Sequence, residues 1–111
     1  MKTVRTTRRT QLAPIMQHGF RFENSTGSLR GHPTPDGVTH WPAGRLNTRE
    51  EARFRADADA IRYLVWSYGT PIAWSTGPGE WYEVEQKFSR TTSCHQSQVR
   101  GGVNVCRERT D

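Results

Sequence analysis

Three residues in the second half of the chain have the types that acid–base chemistry on a phosphodiester requires: Glu83, Arg90 and His95. One group takes a proton from the attacking oxygen, another returns one to the leaving oxygen, and a cation neutralises the charge that builds between them. Glu85 has the same type and spacing to stand in for Glu83. The plainer reading is structural: alternating glutamates on a strand form a solvated face, and a lone histidine in a polar segment serves as a hydrogen-bonding residue. Cys94 beside His95, with Cys106 further on, lacks the C-x-x-C or H-x-x-x-H spacing of a metal site, so no metal or other cofactor is expected. Gly77-Pro78-Gly79 has neither the lysine nor the strand-to-helix setting of a phosphate loop, and no G-x-S-x-G nucleophile motif occurs.

Binding chemistry is better supplied than catalysis. Lys2, Arg5, Arg8 and Arg9 crowd the first eleven residues, and Arg90 and Arg100 begin a second basic cluster. Clustered cations of this kind neutralise backbone phosphates and release their counterions. The formal charge of +5 sits at the two ends, because residues 31–88 carry more acidic than basic side chains. A solubilising end without a partner is the alternative. Trp66, Trp74 and Trp81 fall within one stretch, WSYGTPIAWSTGPGEW, where they serve either as core or as an interface that docks a protein or stacks on bases.

Elements must hold these residues in place. With 111 residues and a hydrophobic share of 32%, below the usual range of about 45–50%, the chain forms one domain at most. Residues 1–17 read as a flexible basic arm, 18–100 as a compact domain, and 101–111 as a polar tail beginning at Gly101-Gly102. No apolar run is long enough to span a bilayer, and LAPIM is too short for a secretory h-region, so a soluble, unexported protein with free thiols is expected.

Phe20 and Phe22 mark a short strand, Asn24 to Ser28 a turn, and Leu29 the start of a second strand. The proline-rich stretch 31–44 reads as a surface loop anchored by Trp41. Thr48-Arg49-Glu50-Glu51 has the pattern of a capping box, which predicts a helix that ends near Asp59 to Ile61, with Phe54, Ala58 and Ile61 on one face. Ile61–Tyr68, Ile72–Thr76 and Trp81–Phe88 are strands of a meander, the last with Tyr82, Val84 and Phe88 buried and Trp81, Glu83, Glu85 and Lys87 wet. The fold class is therefore α+β: a small antiparallel β-meander packed against one α-helix, with flexible basic termini.

SYGTPIAW, followed by FSRTTSCHQ and preceded by Gly44-Arg45-Leu46, resembles a family of small proteins from actinobacteria and especially their phages. The likeness spans roughly residues 44 to 98 and carries no established activity. It implies the cytoplasm of an infected actinobacterial host as the setting.

Three functions follow from these features. The first is a nucleic-acid-binding accessory protein acting through its arginine-rich ends. The second is an effector that docks on a host protein through an aromatic sheet face. The third is a metal-independent ribonuclease built on Glu83, Arg90 and His95.

Overall fold

The aromatic stretch beginning at Tyr63 folds into three antiparallel strands joined by tight turns, as its patterning predicts, but the third strand stops at Glu83 instead of running to Phe88. In the computed structural model, which describes residues 3–108, these are β4 (Tyr63–Ser67), β5 (Thr70–Gly77) and β6 (Glu80–Glu83). They extend β1 (Thr3–Thr6), β2 (Arg21–Asn24) and β3 (Leu29–Pro33) into one six-stranded sheet ordered as in the sequence. All neighbours are antiparallel except β1 and β2, which run parallel. Three helices accompany the sheet: α1 (Ala13–Gln17), α2 (Thr48–Asp57) and α3 (Arg90–Glu108).

The β4–β5 turn falls on Tyr68-Gly69, one residue earlier than expected, with both residues at positive φ, 50° and 79°. That is the geometry of a two-residue primed turn, in which asparagine or glycine ordinarily precedes the glycine. Pro71 then lies beside a register irregularity between Val65 and Trp66, where a missing amide is tolerated. At the start of α2 the cap is Asn47 rather than Thr48: its Oδ1 accepts from the Glu50 amide at 2.9 Å. The helix ends at Asp57 and continues as a single 3-10 turn over Ala58–Ala60.

Residues 31–33 of the stretch read as a loop belong to β3, and both ends of the expected domain also differ. The segment read as a flexible arm supplies β1 and α1, and Val4, Leu12, Ala13, Ile15 and Met16 pack into the core. Composition alone misses this because β1 needs only ladder partners from β2 and one apolar side chain facing inward. The segment read as a tail is the second half of α3, which runs through Gly101-Gly102. Gly102 is the close approach of α1: a Cβ there would lie 3.0 Å from Met16 Sδ and 3.2 Å from Leu12 Cβ.

The expectation of one helix and one wet sheet face also needs correction, since helices cover both faces. On one side α1 and α3 bury Phe22, Leu29, Tyr63, Val65 and Ala73 beneath Met16, Val99 and Val103. On the other, α2 and the loop after β3 bury Leu64, Trp74 and Val84 beneath Phe54, Val38 and Leu46. Phe22 and Phe54 are fully buried, and each contributes roughly 1.5–3 kcal/mol by leaving water. The second layer includes no residue of β1, β2 or β3. Half of that sheet face is therefore left open.

Candidate functional site

Strand alternation decides what the open half presents. Val4 and Phe22 turn inward toward α1 and α3, so Thr3, Arg5, Arg21 and Glu23 turn outward. The ladder aligns Arg5 with Glu23, Glu23 with Arg30, and Arg30 with Trp66 in one cross-strand row. Arg21 and His32 stand at the next outward positions on β2 and β3.

Three arginine positions thus flank one glutamate position in the ladder. Arg30 donates from Nε to the Gly27 carbonyl at 2.9 Å and lies 3.5 Å from Glu23 Oε2. At the β4 end the row meets a cluster of half-buried rings. His32 sits edge-on to Trp66 at 4.8 Å between centroids, and Trp41 stands nearly perpendicular to Trp66 at 5.5 Å. Partial burial, then the positive charges of Arg21 and Arg30, push the His32 pKa down, with Glu23 opposing. The face accordingly combines cations, one anion and half-buried aromatic rings.

The residues singled out from sequence are scattered. Lys2 lies outside the described residues, while Arg5 is in the row. Arg8 and Arg9 are exposed in the turn after β1, whose Thr7 and Thr10 carbonyls accept from Gln98 Nε2. Arg90 is exposed at the start of α3. Arg100 lies 3.6 Å from Glu83 Oε1, and Arg107 lies 3.3 Å from Oε2, so Glu83 ties β6 to α3.

His95 faces elsewhere. Its Nδ1 is 2.7 Å from Ser67 Oγ, Tyr68 stacks on its ring, and burial lowers its pKa. Glu83, Arg90 and His95 therefore do not converge on one space: the carboxylate is held by cations more than a turn beyond the histidine. Of the tryptophans, Trp66 borders the open face. Trp81 is half-buried on the opposite face beside Tyr63. Trp74 is 0% exposed and donates from Nε1 to Asp57 Oδ2 at 2.8 Å, which removes it as an interface candidate. A large ring at the centre of a sheet covered by a helix has nowhere else to go.

The segments that carry the family resemblance meet around the β4–β5 turn. The Arg45 amide donates to Thr70 Oγ1 at 2.9 Å, Ser67 reaches Thr92 and His95, and Gln96 donates to the carbonyls of Val84 and Gln86. A Cβ on Gly44 would strike Thr70. Most of these contacts point inward. Together they fasten the hairpin and leave the open face to other residues.

Sequence reasoning passed over Arg21, Arg30 and His32 as site residues, and treated Trp41 only as an anchor. The signal was present in Arg21-Phe22-Glu23 and Arg30-Gly31-His32, where charged or aromatic-polar residues flank an inward position. It also missed a buried polar pair: Glu50, 2% exposed, accepts from the Tyr82 hydroxyl at 2.7 Å, with Arg53 over the Tyr82 ring at 4.2 Å. A separate cleft of about 830 Å³ lies on the α3 side, with Met16, Tyr63, Trp81 and Cys106 among its walls.

Among the described residues no group of three or more His, Cys, Asp or Glu is placed to hold a metal, and no helix is long and apolar enough to cross a membrane. Cys94 and Cys106 are twelve positions apart on α3, about 18 Å by helical rise, too far for a bridge. A family model described as a family of unknown function (DUF8033) matches residues 16–111. No curated protein and no solved structure matches the chain.

Proposed function

With most of its length matched, the chain belongs to that family of unknown function, and we propose that it binds nucleic acid through the open half of its sheet. The observation that carries the proposal is the row Arg5, Glu23, Arg30 and Trp66, with Arg21 and His32 beside it, on a face that the helix layer leaves bare. Guanidinium groups on strands meet phosphates without ordering the backbone, and such contacts give affinity without sequence preference. The basic ends read from sequence thus contribute through Arg5, while Arg21 and Arg30 come from β2 and β3. The infected actinobacterial cytoplasm implied by the resemblance completes the proposal as its setting.

The test is fluorescence anisotropy with a labelled mixed-sequence oligonucleotide. Arg5→Ala/Arg21→Ala is compared with Arg49→Ala/Arg90→Ala, which removes the same charge away from the face. The first variant is expected to weaken binding about tenfold or more, the second only a few-fold through net charge. Equal losses, or no binding by the parent protein, contradict the proposal.

A second reading rests on Tyr68, which is 58% exposed, holds positive φ and is braced by His95. A strained, presented aromatic suits a protein-docking tip. In that reading Tyr68→Ala abolishes capture of a host protein while the arginine variants retain it; the reverse pattern removes it.

A further inference from the structure

Resting on the nucleic-acid reading above, we propose that the open face takes single-stranded nucleic acid, with a base laid against the Trp66, His32 and Trp41 rings and the backbone crossing β3, β2 and β1. The chemistry along the row is directional. Aromatic rings occupy the β4 end, and the guanidinium groups of Arg30, Arg21 and Arg5 occupy the three strands beyond. Three inter-strand steps separate Arg5 from Trp66, about 14 Å in all, which accommodates a short run of nucleotides rather than one.

A duplex keeps the faces of its bases inside the stack, so rings at this site could meet only a base that has been freed. Reading a duplex through its groove requires a helix or ribbon that projects into it. Among the described residues nothing stands out from β1, β2 and β3 on this side: α2 and the loop after β3 cover β4 to β6 instead. A strand lying flat across the sheet uses both the rings and the cations, whereas a duplex resting there uses the cations alone.

Glu23 fits the same picture. Its carboxylate breaks the cation row between Arg5 and Arg30, so two phosphates settle on either side of it. Between them its oxygens are able to accept from a base amino group, and such a group is accessible on an unpaired base.

The experiment measures affinity for one short mixed-sequence oligonucleotide, as DNA and as RNA, alone and annealed to its complement, at a single ionic strength. The single strand is expected to bind at least about tenfold more tightly than the duplex. Trp66→Leu is expected to weaken single-strand binding about tenfold and to leave duplex binding unchanged, in keeping with the worth of one stacked base. Trp66 also packs against the α2 layer, so Trp66→Phe, which keeps a ring and the packing, is measured beside it and is expected to retain most of the single-strand affinity. Duplex binding equal to or tighter than single-strand binding overturns this inference while leaving the nucleic-acid reading intact. So does a Trp66→Leu loss shared by both forms. Binding of neither form overturns both.

Discussion

Replacing Arg5, Arg21 and Arg30 with alanine changes a measurable exponent as well as an affinity. Each phosphate neutralised on a single strand contributes about −0.7 to the slope of log K against log salt. Three guanidinium groups on the face therefore account for about −2.1, which amounts to roughly an eighteenfold fall in affinity between about 50 and 200 mM salt. The triple variant should lose that share of the slope, and each single variant about one third of it. Arg30 differs in one respect. It lies 3.5 Å from Glu23, so removing it also leaves that carboxylate facing a phosphate, and Arg30→Ala should cost more affinity than Arg5→Ala for a similar change of slope. Glu23→Gln should strengthen binding a few-fold by removing the one anion in the row. Anisotropy titrations at four salt concentrations give all of these values. An unchanged slope in the triple variant would refute the assignment of these side chains to phosphate.

Other expectations concern the scaffold. A Cβ on Gly31 would fall inside the Phe22 ring, so Gly31→Ala should cost about 1–3 kcal/mol in thermal denaturation; Gly101, exposed in α3 with nothing within 4 Å of a Cβ, should gain about 0.8–1 kcal/mol as alanine. Tyr82→Phe strips the hydroxyl donor from buried Glu50 and should cost about 1.5–3 kcal/mol in urea unfolding, much of it recovered in Tyr82→Phe/Glu50→Leu, where both polar groups are gone. The Tyr82 hydroxyl is pushed up to about 12 by burial first and then by Glu50, so its share of stability is complete below pH 10 and lost as pH rises toward 12. His32 and His95 both have pKa values lowered by burial from 6.5. The unfolded chain then binds more protons, so stability is held above pH 6.5 and falls as pH drops through the folded values, which urea midpoints at neutral and mildly acidic pH should register.

The α+β class, the helix starting at Thr48 and the three strands after Ile61 were legible because periodicity reports directly on which side chains are buried. The first and last segments were not. Residues 3–6 have almost no apolar content of their own, and their order comes from the β2 backbone, which a composition argument does not see. Gly101-Gly102 resembles a helix end in one dimension; in three it is the place where α1 comes close enough that a side chain at 102 would press on Met16 and Leu12. The site was half legible. Arg5 and Trp66 were identified, but for separate functions, because residues 31–44 read as a loop, which hid the strand β3 that pairs with β4 and brings Arg30 beside Trp66. His95 attracted attention by its type, yet its ring is turned into the hairpin by Ser67 and Tyr68.

The most direct test of the open face as the functional surface is a nuclear magnetic resonance titration of the labelled protein with a single-stranded oligonucleotide. Shifts confined to the amides of β1, β2 and β3 and to the indole signals of Trp66 and Trp41, with Trp74 and Trp81 unmoved, are the predicted result. Shifts centred on the cleft between Tyr63 and Trp81, or at the Tyr68 tip with the arginine strands silent, would contradict it.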